Sequence, residues 1–138
     1  MIDPLLLREN PDVLKRSQEA RGDSVELVDE ALEADRVRRA AITEAERLRA
    51  EQNAFGKTVA KAPKDEKAAL VQEAQRLAAA AKQAQQEAAE ADERFTSLVK
   101  RIANPVIDGV PAGGEEKFEL VKTVGERPVF DFEPRDHL

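Results

Sequence analysis

Twenty positions in two runs, stepping alternately by four and three residues, constrain this chain more than any other feature. The first run is Leu27, Ala31, Ala34, Arg38, Ala41, Ala45, Leu48, Gln52, Phe55 and Val59, of which eight are apolar. The second is Leu70, Ala74, Leu77, Ala81, Ala84, Ala88, Ala91, Phe95, Leu98 and Ile102, with no polar member. A mean step of 3.5 residues is what a helix needs to keep one stripe turned toward a partner helix. Between the runs, Pro63 cannot continue a helix, and Asp65 has the chemistry to cap the next one. A connection this short folds the second helix back on the first. The expected core is therefore a two-stranded antiparallel coiled-coil hairpin, with arms over about 25–61 and 66–102 and a turn at 62–65. Each arm, of roughly 37 residues, spans about 55 Å.

The stripe also sets a register. A loop centred between Lys64 and Asp65 pairs residues whose numbers sum to 129. Phe55 then faces Ala74, Ala34 faces Phe95, Leu48 faces Ala81 and Ala31 faces Leu98, so large meets small at four levels. Ala41 meets Ala88 and Ala45 meets Ala84 in the middle, which predicts close helix approach there. Leu27–Ile102 and Val59–Leu70, all large, close the two ends. Arg38 and Gln52 are the weak points of this seam.

Upstream, Asp3-Pro4 and Asn10-Pro11 each place a capping side chain before a proline at the first helical position. They predict short helices over about 3–20, with Leu5, Leu6, Leu7, Val13 and Leu14 as apolar contacts. Arg21-Gly22-Asp23 is a break, and Asp23 with Glu26 has the spacing of a capping box. Downstream of Ile102 the composition changes, because residues 103–138 hold four of the seven prolines and four of the six glycines. Phe118, Leu120 and Val124 alternate with charged residues in Lys117–Val124, which predicts a strand, and Val129–Phe132 a second. Two such strands without further partners are marginal. The tail is expected to lie against the base of the rod or to stay partly mobile. The fold class is thus all-α dominated, with short N-terminal helices and a Pro/Gly-rich C-terminal tail containing one or two short strands.

Chemistry is scarce in such a chain. With no Cys there is no disulfide, thiolate metal site or Cys nucleophile, and the only histidine, His137, beside Asp136 near the C-terminus, is expected to be a solvated residue or part of a missing domain and not a working base. No Gly-rich loop opens a helix, and Gly113-Gly114 lies in a turn unsuited to cradling phosphate. No catalytic, cofactor-binding or metal-binding residue is expected, and the chain alone is expected not to be an enzyme. The start carries no signal peptide and no stretch approaches a membrane span, so a cytoplasmic location without membrane contact is expected.

Charge layout is more informative. The net charge is −6, yet from Arg36 to Lys82 eleven basic residues face six acidic ones, leaving that part at +5 and the remainder at −11. A positive distal rod on a negative base is placed to meet a polyanion with its far half. The ordinary alternative is that these cations solubilise an exposed helix pair through i,i+4 contacts. The lack of exposed aromatics on the rod disfavours single-strand stacking, so an RNA partner would be met through duplex phosphates and shape.

The opening Met1-Ile2-Asp3-Pro4-Leu5-Leu6-Leu7-Arg8-Glu9-Asn10-Pro11-Asp12 resembles the N-terminus of bacterial seryl-tRNA synthetases, and so does the long Ala-rich hairpin. The strongest match is the exit: Ile102-Ala103-Asn104-Pro105-Val106, then Asp108-Gly109-Val110-Pro111, then Phe130-Asp131-Phe132-Glu133-Pro134-Arg135-Asp136-His137. The resemblance covers the whole chain. It implies the tRNA-binding arm, over 1–102, of a homodimeric class II serine–tRNA ligase, with 103–138 leading toward a catalytic domain that the chain does not contain. In that family the arm grips the long variable arm and elbow of tRNA-Ser and presents its acceptor end to the other subunit. ATP and Mg²⁺ belong to the full-length enzyme, with no cofactor expected in this chain. The implied partners are tRNA-Ser, the catalytic domain and the second subunit, the isolated arm being expected to be monomeric.

The arm reads shape and phosphate rather than a fixed motif, so the contact candidates form a pool: Arg38, Arg39, Arg47, Arg49, Lys57, Arg76 and Lys82. Gly56, inside the first arm, either permits bending toward RNA or is a tolerated defect costing about 1 kcal/mol. The alternative function is a coiled-coil protein-interaction or spacer rod with no RNA role. A client-holding tip would expose apolar residues, whereas Lys61-Ala62-Pro63-Lys64-Asp65-Glu66-Lys67 carries charge.

Overall fold

A computed structural model describes residues 2–63, 66–126 and 128–135. Two short helices, α1 (Pro4–Glu9) and α2 (Pro11–Arg21), precede two long ones, α3 (Glu26–Lys61) and α4 (Lys67–Val99), which pair as a hairpin. At 36 residues, α3 is about 54 Å long. All twenty positions of the four-three stripe are buried or half-buried, which is the seam the heptads require.

The seam is not uniform along its length. At the base, Leu27, Ala31 and Ala34 meet Phe95, Leu98 and Ile102 in one cluster. These are three consecutive levels of the 129 register. Ile2, Leu7 from α1 and Leu14 from α2 join the same cluster, together with Val28 and Val99, which lie beside the seam. Farther out each helix has only its partner for cover. From Ala41 to Val59 every seam residue of α3 is half-buried, and none is fully buried.

Capping differs from the sequence expectation at several ends. Asp3 caps α1 by accepting from the Leu5 amide at 2.8 Å. Asn10 makes no side-chain cap; its backbone N–H closes α1 on Leu6, and Pro11 starts α2 without it. The expected box between Asp23 and Glu26 does not form, because Ser24 instead donates its hydroxyl to Glu26 at 2.8 Å. Gly22, at φ 75°, ends α2 in the left-handed conformation, with its N–H reaching the carbonyls of Gln18 and Glu19. The expected cap at Asp65 lies outside the described residues. Leu5, expected as an apolar contact, points to solvent.

The tail corrects the fold class, since no strand occurs among the described residues. Glu115–Lys117 forms one 3₁₀ turn, and the segments around Phe118–Val124 and Val129–Phe132 are irregular. A strand needs an edge to pair with and a face to bury. Here Phe118, Leu120, Val121, Val124 and Val129 are all exposed, so neither condition is met. The start of the tail does lie on the base, as expected. The Ser17 hydroxyl accepts from the Val106 amide at 2.9 Å, Gln18 Oε1 accepts from the Ala103 amide at 3.2 Å, and Arg21 donates to the Asn104 carbonyl at 3.1 Å. Gly113 adds a backbone bond to the Ala20 carbonyl.

Candidate nucleic-acid interface

Phosphate binding by a rod requires cations that are exposed and not already neutralised. The pool of basic residues divides on that criterion.

Arg38 is the most committed. It donates to Asp35 at 3.0 Å within α3 and to Asp92 of α4 at 3.1 Å. Its guanidinium lies 4.5 Å from the Phe95 ring centroid, and its buried Nε has no hydrogen-bond partner among the described residues. Burial disfavours its charge, but the bonds to Asp35 and Asp92 outweigh that and hold its pKa above the ordinary guanidinium value. Asp92 lies one residue from the level that the 129 register assigns to Arg38. An apparent flaw in the seam is therefore a cross-helix tie.

Asp35, which the periodicity does not single out, is the centre of this cluster. Its carboxylate is fully buried and faces three guanidinium groups: Arg38 at 3.0 Å, Arg39 at 3.0 Å and Arg8 of α1 at 3.5 Å. An unpaired carboxylate there would be prohibitive; surrounded this way it is satisfied. Arg39 gives only Nε to Asp35 and keeps about half of its side chain exposed.

Arg47 and Arg76 are exposed but paired along their own helices. Arg47 grips Glu44 at 2.7 Å and Glu51 at 3.0 Å, and Arg76 grips Glu73 at 2.6 Å. Hydrogen bonding to the guanidinium holds the Glu44 and Glu73 carboxyls below the ordinary glutamate range. Arg36, outside the pool, is paired with Glu33 in the same manner.

Arg49, Lys57 and Lys82 remain, each exposed and in none of these ion pairs. The fold brings two of them together. Arg49 from α3 and Lys82 from α4 line one solvent-open groove, together with Ala45, Gln52, Ala78 and Ala81. Glu46 and Gln85 line the same groove. Sequence spacing alone cannot find this pairing, since the two residues lie on different helices; the 129 register, which sets Lys82 level with Arg47, is the signal that could have. Gly56 lies in unbroken helix, and a Cβ there would meet nothing within 4 Å.

Among the described residues no group of His, Cys, Asp or Glu is placed to hold a metal ion, and no helix is long and apolar enough to cross a membrane. His137 lies outside the described residues.

Comparison with known proteins agrees with this architecture. Residues 1–106 match the family model described as the seryl-tRNA synthetase N-terminal domain. The whole chain is 66% identical to part of the serine–tRNA ligase of Leifsonia xyli and 56% identical to part of that of Clavibacter michiganensis, covering 33% and 32% of those proteins. It thus spans about a third of the length of these relatives. The seryl-tRNA synthetase of Pyrococcus horikoshii, crystallised with ATP, aligns at a TM-score of 0.70 and 28% identity over 84% of this chain and 27% of that one. The cytoplasmic enzyme of Naegleria fowleri, in complex with AMP, has the same fold at a TM-score of 0.72, 22% identity and coverage of 93% and 36%. The family match takes in all four helices and the start of the exit segment, and the chain belongs to the seryl-tRNA synthetase N-terminal domain family.

Proposed function

We propose that this chain is the tRNA-binding arm of a serine–tRNA ligase, gripping the long variable arm and elbow of tRNA-Ser. It would position the acceptor end for serylation by a class II catalytic domain outside this chain. ATP and Mg²⁺ would act in that domain, and a second subunit would complete the enzyme. The observation that carries the reading is the open groove lined by Arg49 and Lys82, from opposite arms of the hairpin, neither of which forms an ion pair among the described residues. Phosphates on a duplex stem are the ligand such a cleft suits, because binding there exchanges condensed counterions for fixed cations. Within the candidate pool, Arg49, Lys57, Lys82 and Arg39 are assigned to contact. Arg38 is assigned to hold the rod together, and Arg47 and Arg76 to the solvated surface.

The test is a salt-dependent titration of this chain with tRNA-Ser. The controls are the same tRNA without its variable arm and a tRNA with a short variable loop. The full tRNA-Ser should bind best and weaken as salt rises, with a slope of several released counterions. Equal, weak binding to all three RNAs would overturn the reading.

A further inference from the structure

A heptad rod has two flanks, one on each side of its seam, and here they differ in chemistry. On the first, positions 28, 35, 42, 49 and 56 of α3 run beside 71, 78, 85, 92 and 99 of α4. These carry Val28, Asp35, Ile42, Arg49 and Gly56, and Val71, Ala78, Gln85, Asp92 and Val99. Arg49, Ala78 and Gln85 line the same groove, so the two rows do lie side by side. Toward the base this flank is covered, with Val28, Asp35 and Val99 buried and Arg8 of α1 reaching Asp35. Both of its aspartates are engaged by arginines. Beyond them neither row carries a carboxylate, and Gly56 and Ala78 leave the surface low. Glu46 borders the groove as well, against the two cations Arg49 and Lys82.

The second flank is acidic. Positions 30, 37, 44, 51 and 58 run beside 73, 80, 87, 94 and 101, and among them stand Glu30, Glu44, Glu51, Glu73 and Glu87 against two cations, Arg94 and Arg101, both toward the base. The arginines next to this row are held by it, Arg47 by Glu44 and Glu51 and Arg76 by Glu73. In the distal half a phosphate arriving there meets carboxylates first and must displace them to reach Arg47 or Arg76. On the first flank it meets Arg49 and Lys82, and, about 15 Å nearer the base, the half-exposed Arg39.

Resting on the tRNA-binding reading above, we infer that the rod is two-faced. The Arg39–Arg49–Lys82 flank, continuous with the side on which α1 packs, takes the RNA phosphates, and the glutamate flank faces away. Charge complementarity selects the first flank and like-charge repulsion rejects the second.

Two double reversals of identical charge change test this: Arg49→Glu with Lys82→Glu, and Arg47→Glu with Arg76→Glu. Each is titrated with tRNA-Ser against the unaltered chain, after circular dichroism confirms the helix content. The pairs Arg49→Ala/Lys82→Ala and Arg47→Ala/Arg76→Ala serve if a reversal unfolds the rod. The first-flank pair should weaken binding at least roughly tenfold, and its alanine version should lower the salt slope by about 2 counterions, while the second-flank pair should change affinity less than about threefold. Equal losses from both pairs, or a larger loss from the second, would overturn the two-faced rod while leaving tRNA binding intact. If the unaltered chain fails to prefer tRNA-Ser over the RNA lacking its variable arm, the tRNA-binding reading falls, and the flank assignment with it.

Discussion

The base and the distal half of the rod share one heptad pattern and one pair of helices, yet they are held in different ways. At the base the seam is flanked by α1, α2 and the exit segment, so even off-seam residues such as Val28 and Val99 are buried. Polar groups there are tied across elements, as Asp35 is to Arg8 and Gln18 to the Ala103 amide. In the distal half each helix covers only one side of the other. Ion pairs there run along single helices, as in Arg47–Glu44 and Arg76–Glu73. Periodicity alone therefore specifies a seam but not its strength, which depends on how many elements converge on it.

The largest expected contrast is between two phenylalanines of the seam. Phe95→Ala opens a cavity at the buried base and should cost about 3–5 kcal/mol in denaturant unfolding. Phe55→Ala, at a half-buried level, should cost about 1–2 kcal/mol. Equal costs would break the distinction.

Next comes the charge cluster. Asp35→Ala removes the carboxylate shared by three arginines and leaves Arg38 partly buried beside them; a loss of about 3 kcal/mol is expected. Glu73→Ala, which strips one exposed pair from the distal rod, should stay within about 0.5 kcal/mol. Thermal melts of the two variants, side by side, decide this.

Gly56→Ala acts in the opposite direction. Its backbone is helical and the added methyl meets nothing, so the distal rod should gain about 1 kcal/mol and show slower amide exchange around position 56. If this variant binds tRNA-Ser less well despite its added stability, then bending at Gly56 contributes to function.

The smallest effect is a pH difference. Hydrogen bonding to Arg47 and Arg76 lowers the Glu44 and Glu73 pKa values below the ordinary 4.5. A lowered carboxyl pKa contributes stability that is present at neutral pH and lost as pH falls through the folded-state value. The helix content of the unaltered chain should exceed that of an Arg47→Gln/Arg76→Gln double variant near pH 7, and the gap should close below 4.5. A gap that persists in acid would assign the two arginines a packing role instead.

Much of this architecture is legible in the amino-acid sequence. The hairpin, the turn at Pro63, the twenty seam positions and the two N-terminal helices all follow from local pattern and proline placement. Asp35 is not legible there, because a lone aspartate beside the stripe reads as solvated surface until α1 delivers Arg8 to it. The tail departs from its pattern for a related reason. Alternation in Lys117–Val124 has the period of a strand, but no described segment offers it an edge, and its apolar side chains stay exposed. The basic candidates form an undivided pool in the sequence, since spacing does not say which cations already hold a carboxylate.

Sequence alone determined the seam and its register, because helical periodicity and a proline-broken connection are properties of neighbouring residues. The tertiary structure decided which seam levels are fully buried and which arginines are neutralised. Those outcomes depend on residues that meet only after folding: Arg8 with Asp35 across 27 positions, Arg38 with Asp92 across 54, and Gln18 with Ala103 across 85. Burial and ion pairing are set by what arrives from elsewhere in the chain, and no local pattern records that arrival.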